Sequence, residues 1–431
     1  MTSPSRPSRK PRERASGPRA PSPEPRTPDH RPRTPETGPR LLWGSPLPPT
    51  RSGVADYAAE LLPHLARASE VTVLEPPGWS RPDDAPWLEG VTTLPHDADA
   101  PPGAVTLLHL GNNPYHLWLA QRLRGSGGIV VLHDTVLHHL LVEEAAASGD
   151  WDRFEAELFE AHGAGGAALA AGRRWGYSGR LDPFIFPARR AYLRHAAGVI
   201  VHNARAEADV ARACPGLAVR RVPLAVGELP PGDRAEWRVR LGVGADELLM
   251  VHLGFLTRAK GLDVVLGAMT ALDGARVAVR LVVVGEGSER GAFESAVSSA
   301  GLGDRVRVWG YASAPDLGGI LSAADLGLVP RYPTAGETSA AALRFLAAGT
   351  PVAVAGYRQF LEFPAPAAPR IPPGSAGVAE LVRVAGLLAG SSDERRAARR
   401  AAKDAWKRGG HEPATAAAAV LAAVAELTRV A

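Results

Sequence analysis

Cysteine is almost missing from this chain of 431 residues, which contains Cys214 alone. An internal disulfide is therefore excluded, and a cysteine-based zinc site would need other ligands. We expect Cys214 to be a small buried hydrophobic residue. Long apolar runs are also lacking: none approaches about 18 uncharged residues, so we expect no transmembrane helix. An apolar content of 45% and a charged content of 22% are typical of a soluble globular protein of about two domains.

The excess of positive charge is confined to the first 40 residues. They hold ten Arg or Lys and four Asp or Glu, a net of +6, whereas the whole chain is +4, so residues 41–431 sum to −2. The pI of about 9.4 therefore gives no reason to expect a nucleic-acid-binding face. Eleven prolines predict that residues 1–40 are a disordered tail, and no apolar core of a signal peptide follows the charges. We expect a cytoplasmic protein with a solvated tail, and peripheral membrane contact stays open.

Apolar runs and helical patterns alternate from residue 41 onward. The runs predict strands at 71–74, 105–110, 129–133, 199–201, 248–253, 277–284, 305–308, 326–329 and 352–355. We expect a long helical region from Thr135 to about His195. The alternation predicts an α/β fold of two doubly wound, Rossmann-like domains, residues 41–225 and 226–410, facing a central cleft, with a C-terminal helix at 411–431. Ligands of such folds bind at the carboxyl ends of the strands.

Three loops at predicted strand ends offer groups suited to an anion. The first opens a helix and contains a glycine that allows close approach, the second brings two cations to a helix start, and the third is an acid-plus-hydroxyl turn. Their candidate residues are Ser52, Gly53 and Val54; Gly254, Arg258 and Lys260; and Gly336, Glu337, Thr338 and Ser339. A plain turn, a solvated basic loop and a simple helix cap by Thr338 or Ser339 are the respective structural alternatives.

Polar residues also follow two strands of the first domain. His133 ends the strand at 129–133, where it could hydrogen-bond a ligand hydroxyl or steady a developing charge. Asp134 either faces the same cleft or caps a helix that begins at Thr135. The previous strand end offers three further polar groups to the cleft: Asn112, Asn113 and His116.

A glycine motif at 282–291 is similar to a dinucleotide-binding fingerprint. Its spacing is G-x-G-x-x-x-G, which is one residue too long, and it lies deep in the chain rather than at the first strand of a domain. No acidic residue ends the following strand. We therefore do not expect NAD to bind. The sequence also has no P-loop, HExxH, GxSxG or paired Cys/His metal motif.

Taken together, these segments resemble the retaining GT-B glycosyltransferases of family 4 over nearly all of residues 41–410. The loop at 52–54 is similar to the family's phosphate-approaching loop, and His133 matches the histidine close to the transferred sugar. The family motif G-x-L-x-x-x-K-G is matched by Gly254, Leu256, Lys260 and Gly261. The resemblance therefore implies two domains of the GT-B type.

Some positions depart from the family pattern. Phe255 stands where the family usually has Arg, and Arg258 is the candidate to replace that charge. Counting back from Gly349 puts Gly336 and Arg344 where the family has two glutamates eight residues apart. Glu337 lies one residue from the first of these positions, and the ribose-holding second glutamate has no counterpart. This GETS form is similar to a bacterial subgroup.

The resemblance implies retaining transfer of a sugar from a nucleotide-diphosphate sugar to an acceptor hydroxyl, without a metal or another cofactor. It assigns catalysis to His133, Lys260 and Glu337, and the donor phosphates to the other residues of the three loops. It assigns the base and ribose to Gly285, Trp309 and Tyr311, and the acceptor cleft to Asn112, Asn113, His116 and Asp134. UDP and GDP sugars are both candidate donors, while the acceptor and the oligomeric state stay open.

Two other classes of protein are alternatives on the same fold. A nucleotide-sugar epimerase would need carboxylates and a histidine to which nothing in the sequence points. A sugar phosphorylase would often carry a pyridoxal-phosphate lysine, which an absorbance scan would detect. A non-catalytic relative that binds a sugar nucleotide or a partner protein is favoured by Phe255 and Arg344. Release of a nucleoside diphosphate from a sugar donor separates an enzyme from such a binding protein.

Overall fold

A computed structural model describes residues 38–430, which form two parallel sheets flanked by helices. The first sheet has the strand order β3-β2-β1-β4-β5-β6-β7, and the second has the order β10-β9-β8-β11-β12-β13. All nine predicted strands are confirmed, with ends shifted by a few residues. The apolar runs form them because parallel strands that are covered on both faces favour continuous Val, Ile and Leu.

The strands missed by the sequence patterns lie mainly at sheet edges, where short or polar segments give little signal. The first sheet consists of β1 Arg40–Gly44, β2 Glu70–Glu75, β3 Thr92–Pro95, β4 Val105–Leu110, β5 Ile129–Leu132, β6 Gly198–Val201 and β7 Val219–Arg221. The second consists of β8 Leu248–Leu253, β9 Val279–Val284, β10 Val306–Gly310, β11 Leu326–Val329, β12 Val352–Ala355 and β13 Arg370–Ile371.

Fifteen α-helices occur within residues 38–430. Those up to residue 213 are α1 Gly53–Ala66, α2 Leu117–Ser126, α3 His138–Ser148, α4 Trp151–Arg174, α5 Asp182–Ile185, α6 Arg190–Leu193 and α7 Ala204–Ala213. The later ones are α8 Arg234–Arg240, α9 Leu262–Gly274, α10 Arg290–Ser299, α11 Ala314–Ala323, α12 Ala340–Ala347, α13 Gly377–Gly390, α14 Ser392–Arg408 and α15 Pro413–Val430.

The strand order reverses beside the first strand of each series. This switch point lies between β1 and β4 in the first sheet, and between β8 and β11 in the second. In open parallel sheets a crevice forms at the carboxyl ends of the strands that flank the switch point. The loops after these four strands therefore define where a ligand site is expected, and they contain most of the candidate residues.

The predicted long helical region from Thr135 to about His195 is confirmed and consists of four separate helices, α3 to α6. The first of them, α3, begins at His138 rather than at Thr135. The amides of Thr135 and Val136 cannot join it because both donate to the carbonyl of Ala335 in the second domain, at 2.8 and 3.0 Å. Thr135 and Val136 therefore contact the second domain, and the helix begins only after them.

Asp134 does not cap this helix. Its carboxylate accepts a hydrogen bond from the Asn112 amide at 2.8 Å. The Asn112 side chain provides the cap instead, because its Oδ1 accepts from the amides of His139 and Leu140 at 2.9 and 3.2 Å. The loop after β4 therefore fixes the start of α3 through a non-local cap, which sequence spacing does not reveal.

The C-terminal helix α15 returns to the first domain. It packs on α1 and buries Val420, Val424 and Leu427. Glu426 on the same helix forms an ion pair with Arg220 of β7 at 2.5 Å. Residues far apart in the sequence therefore share one core, because the chain crosses to the second domain after β7 and returns before α15.

Within residues 38–430, one stretch, Ser392–Val430, is long and apolar enough to cross a membrane by length and composition alone, although no such helix was predicted. About a third of the relevant window is buried inside the fold. The predicted tail, residues 1–40, lies outside the described residues except for its last three. Of these, Arg40 begins β1.

Candidate functional site

A cavity of about 720 Å³ lies between the two domains, at the carboxyl ends of the central strands. The loop after β1 forms one wall, and the ends of β8, β9 and β10 form the other. Charged residues from both sides line it, among them Arg51, Asp56, Glu60, Glu286 and Arg344. The lining also includes Ser52, Gly53, Gly254, Gly285 and Tyr311, which the sequence had placed in a ligand site.

The loop after β1 meets the second domain through Arg51, which the sequence analysis missed. Its guanidinium bonds Glu286 at 2.8 Å and lies 4.5 Å from the ring centre of Tyr311. Ser52 is occupied as the cap of α1, because its hydroxyl accepts from the Val54 amide. Among the residues that the structure describes, no atom lies within 4 Å of where a Gly53 side chain would begin, so this backbone is open to a ligand.

A cluster of charges lies where β8 and β11 end. Arg331 forms an ion pair with Glu337 at 2.5 Å, and Glu337 also accepts from the Thr334 hydroxyl at 2.8 Å. The Lys260 ammonium lies 3.2 Å from where a Gly254 side chain would begin, and Gly254 has a φ of 132° that favours glycine. Glycine therefore leaves the room that Lys260 occupies, and Arg331 is a site residue that local spacing did not indicate.

The electrostatics of this cluster shift two pKa values. Burial, with Arg331 adding to it, lowers the pKa of Lys260 to about 8, although the carboxylates of Glu337 and Asp134 oppose that shift. Burial and the neighbouring Glu337 raise the pKa of Asp134 to about 6. Lys260 makes no ion pair within 4.0 Å among residues 38–430, so its charge is incompletely compensated before a ligand binds.

The loop before α12 crosses to the first domain. Asn203 donates to the Gly336 carbonyl and to the Thr338 hydroxyl, both at 3.0 Å. Gly336 has a φ of 85°, and a side chain there would collide with Thr135, so only glycine fits. Ser339 caps α12 by accepting from the Ala342 amide at 3.2 Å. The cap alternative is therefore confirmed for Ser339, and the Thr338 hydroxyl is engaged by Asn203.

The backbone of the same loop offers donors. Within the described residues, the amides of Glu337, Thr338 and Ser339 have no hydrogen-bond acceptor. They stand at the N-terminus of an α-helix, where the helix dipole favours a negative charge. An anion at this position would satisfy amide groups that the protein itself leaves free.

Four aromatic or imidazole rings line up along the strand ends of the first sheet. His133 Nε2 lies 3.0 Å from His109 Nδ1, and the His133 and His202 ring centres are 5.2 Å apart. Trp43 packs against His109, with ring centres 3.9 Å apart and ring planes tilted by 37°. Burial, followed by the neighbouring imidazoles, lowers the pKa of His109 and of His133 well below the usual value. His133 is therefore a neutral hydrogen-bonding group, and His109 and His202 are its previously missed neighbours.

The structure does not bring every candidate residue to the cleft. His116 is wholly buried and bonds the His109 carbonyl at 2.8 Å, so it supports the end of β4 rather than facing a ligand. Asn113 caps a short turn by accepting from the Tyr115 amide at 3.0 Å. Both side chains are therefore hydrogen-bonded to nearby backbone groups, a role that is common for such residues in loops.

Two candidates of the second domain also point elsewhere. The side chain of Arg258 is largely exposed and lies 3.4 Å from Glu289, so it does not join the charged cluster. Trp309 packs 6.0 Å from Trp237, with Arg240 over its ring, and does not line the cavity as Tyr311 does. Trp309 belongs to β10, whereas Tyr311 lies in the loop after the last residue of that strand, where the cavity begins.

Arg344 links the two walls of the cavity. Its guanidinium donates to the Gly227 carbonyl at 2.6 Å and forms an ion pair with Glu60, while Glu60 accepts from the Gly227 amide at 2.6 Å. Asp56, one turn earlier on α1, opposes the lowering of the Arg344 pKa that burial causes. The second domain thus presents a cation here, and the first domain supplies the carboxylates.

No group of three or more His, Cys, Asp or Glu residues within 38–430 is arranged to hold a metal ion. The acidic residues of the cleft are instead paired with arginine or lie singly. The positively charged and hydrogen-bond-donating groups of this cleft are therefore the ammonium of Lys260, the arginines and the free amides before α12.

In a comparison with known protein families, residues 247–364 match the family described as Glycosyl transferases group 1. The chain is 33% identical over 134 residues to D-inositol 3-phosphate glycosyltransferase of Segniliparus rotundus, covering 30% of this chain and 29% of that protein. It is 30% identical over 210 residues to 2-deoxystreptamine glucosyltransferase of Streptomyces kanamyceticus, covering 47% and 53%. These relatives are therefore matched over about half of their length or less.

Solved structures match nearly the whole chain. Sucrose-phosphate synthase from Thermosynechococcus elongatus superposes with a TM-score of 0.62 at 18% identity, covering 91% of this chain and 98% of that one. HepE from Anabaena, solved in complex with UDP-glucose, superposes with a TM-score of 0.57 at 14% identity, covering 91% and 100%. The predicted fold is confirmed: two α/β domains in the GT-B arrangement.

Proposed function

We propose that this protein is a glycosyltransferase that moves a sugar from a nucleotide-diphosphate sugar to an acceptor hydroxyl, with retention of anomeric configuration. The observation that carries the proposal is the match of residues 247–364 to group 1 glycosyl transferases. That segment contains Lys260, Arg331, Glu337 and the free amides before α12. These are the groups that a departing diphosphate needs.

In the proposed mechanism, the second domain stabilises the leaving group. As the glycosidic bond breaks, negative charge develops on the diphosphate, and the Lys260 ammonium and the amides of 337–339 are suited to receive it. Because Lys260 is buried and lacks an ion pair among the described residues, the approaching anion gains more from it than from a solvated lysine. The open backbone at Gly53 gives the same anion access from the opposite wall.

The acceptor in this proposal enters along the first domain. His133 is neutral and stands where the strand ends face the cleft, so it can hydrogen-bond a sugar hydroxyl without adding charge. The acceptor hydroxyl attacks from the face that the diphosphate leaves, and the departing phosphate oxygen takes its proton. Charge stabilisation by Lys260 and the amides means that we propose no metal requirement.

The nucleotide is proposed to occupy the 720 Å³ cavity, with UDP as the first candidate. HepE, a protein of the same fold, was solved with UDP-glucose. In this chain, Tyr311 and Arg51 offer an aromatic face and a cation within the cavity. GDP remains the second candidate because no base-reading contact distinguishes the two.

A donor screen tests the proposal. Thermal unfolding is measured with UDP, GDP, dTDP and ADP sugars, and the donor that stabilises the protein is then assayed for release of its nucleoside diphosphate with and without EDTA. We expect one nucleotide class to raise the melting temperature and turnover to survive EDTA. Failure of every donor to shift melting and to react would overturn the proposal.

One observation favours a binding protein over an enzyme. Phe255, which lines the cavity and is 52% exposed, stands where the resembling family has a cation. A non-catalytic protein would still bind the donor. Stabilisation by a sugar nucleotide without release of nucleoside diphosphate, at any acceptor concentration, would support this second function.

A further inference from the structure

An apolar surface stands out on the first domain, at the end of α4. The segment 173–185, called here the aromatic loop, exposes 83% of Trp175 and 75% of Tyr177. Leu181 and Ile185 are each more than half exposed. Four large exposed apolar side chains thus lie within eleven residues, and such exposed apolar patches in soluble proteins usually mark a binding surface.

The backbone of the aromatic loop is held in place by its own hydrogen bonds. The Tyr177 amide donates to the Gly172 carbonyl at 3.0 Å, and the Ile185 amide donates to the Leu181 carbonyl at 3.1 Å. The second bond puts Leu181 and Ile185 on the same face of one helical turn. The apolar side chains are therefore presented outward by an ordered backbone.

Cations are interleaved with these apolar residues. Arg174 is paired with Asp152 at 2.5 Å, whereas Arg173, which is half-buried, and Arg180, which is exposed, form no ion pair among residues 38–430. The carboxylate of Asp182, the single acid of the loop, accepts from the Gly179 amide at 2.5 Å. The loop thus combines exposed Trp and Tyr with two uncompensated arginines.

We propose that the aromatic loop docks on an anionic lipid bilayer. Trp and Tyr favour the boundary between lipid headgroups and acyl chains, where their rings are buried and their polar atoms stay hydrated. Arg173 and Arg180 complement the charge of anionic headgroups. A protein partner would bury the same apolar area, but cations interleaved with aromatic residues fit a continuous sheet of negative headgroups better.

The position of the loop connects docking with the cleft. Directly after it, the Phe186 carbonyl accepts from His138 at 2.8 Å, and the Pro187 carbonyl accepts from the Leu137 amide at 2.8 Å. These bonds fasten the segment to the start of α3, where His139 contacts Asn112 at 2.9 Å. Docking would bring the predicted acceptor side to the membrane, and an acceptor hydroxyl on a lipid follows if the proposed transfer is correct.

Vesicle binding by the full chain tests docking without any sugar donor. Sedimentation is compared for vesicles of phosphatidylglycerol with phosphatidylcholine and for phosphatidylcholine alone. We expect Trp175→Ser with Tyr177→Ser to weaken partition to the anionic vesicles at least about tenfold. Replacing Arg173 and Arg180 by Ser should weaken it about 25-fold, because each cation near the surface changes binding about fivefold.

Matched controls keep the result specific. Val239→Ser changes an apolar side chain that is 81% exposed on the second domain, and it should bind like the parent. The positively charged segment 1–40 is present in every variant, so its contribution to vesicle binding cancels when each variant is compared with the parent. Brominated acyl chains should quench the parent's fluorescence more than that of Trp175→Phe.

Three outcomes would overturn the docking proposal. The first is that the parent and the aromatic variant bind vesicles equally within about twofold, and the second is that the parent does not bind. The third is that the parent forms a dimer, does not bind vesicles, and becomes monomeric in the aromatic variant. The assay contains no donor and measures no turnover. Its failure would therefore leave the proposed transfer standing, and failure of transfer would leave docking standing.

Discussion

Lys260 and Glu337 stand in the same charged cluster but are held differently. Glu337 is paired with Arg331 and hydrogen-bonded to Thr334, so its orientation is fixed before any ligand arrives. Lys260 occupies space left by a glycine and has no such partner among residues 38–430. The glutamate is therefore organised by the protein, while the lysine is available for a ligand.

Replacing Lys260 by Met should slow transfer at least about a hundredfold, or roughly 3 kcal/mol of barrier, because the departing diphosphate loses its buried cation. Glu337→Gln should have an effect of similar size, since the amide keeps the Thr334 contact but not the charge opposite Arg331. The measurement is kcat with the donor found by the screen. Lys407→Met, in the last turn of α14, is the control and should leave kcat unchanged. Near-normal rates in both site variants would contradict the assignment.

Donor binding should weaken as the pH rises through about 8. The Lys260 pKa is lowered to about 8 in the free protein, so the side chain loses its proton above that pH, and a bound diphosphate must restore the charged form. Asp134, with a pKa of about 6, is already ionised there and adds no change. Calorimetry at about pH 7 and about pH 9.5 measures the difference.

Lys260→Arg is the control for this pH dependence, because a guanidinium stays protonated throughout the range. Its donor affinity should change little between the two pH values, even if geometry lowers it overall. Equal affinity of the parent protein at both values would show that the Lys260 charge does not contribute to binding.

Single residues could be predicted where one strand end supplies them. Lys260, Glu337 and His133 follow β8, β11 and β5, and their local motifs were visible in the sequence. Arg51 and Arg331 escaped because their partners come from tertiary packing or a turn of the loop rather than from fixed spacing. Such contacts depend on how the two sheets face each other, which short-range patterns do not encode.

At the scale of elements, α3 is the part of the fold most dependent on a distant residue. Its N-cap position is Leu137, whose side chain makes no cap hydrogen bond, and Asn112 from the loop after β4 takes that role. The sequence offered Asp134 as a local cap, which was wrong because that carboxylate serves the Asn112 amide. Tertiary packing can thus set the start of a helix when the nearby capping residue, here Asp134, is hydrogen-bonded elsewhere.

Asn112→Ala should destabilise the protein by about 1 kcal/mol, within the usual range of about 0.5–2 for a lost cap. Two amides at the start of α3 would lose their acceptor. Equilibrium unfolding in urea measures the change, and hydrogen exchange should show faster opening confined to the first turn of α3. Asn112→Asp keeps the acceptor oxygen and should remain close to the parent. Equal destabilisation by both variants would argue against the cap.

For the whole molecule, the alternation of strands and helices was enough to predict two doubly wound domains. The apolar runs of the central strands carry that information because they must be buried on both faces. The path of the chain after the second sheet was not predictable in the same way. An Ala-rich helical pattern gives its own apolar face but not the surface on which that face packs.

The return of α15 makes the first domain dependent on the other end of the chain. Val424→Asp should destabilise the protein by at least about 3 kcal/mol, because it buries a carboxyl without a partner against α1. Hydrogen exchange should rise in α1 and in β6, which Leu427 covers at Gly198, while β8 and β9 keep their protection. Ala425→Asp, one residue along and exposed, is the control and should be nearly neutral. If protection fell equally in both sheets, the two domains would unfold as one unit; if it fell only within α15, that helix would be an appendage rather than part of the first domain's core.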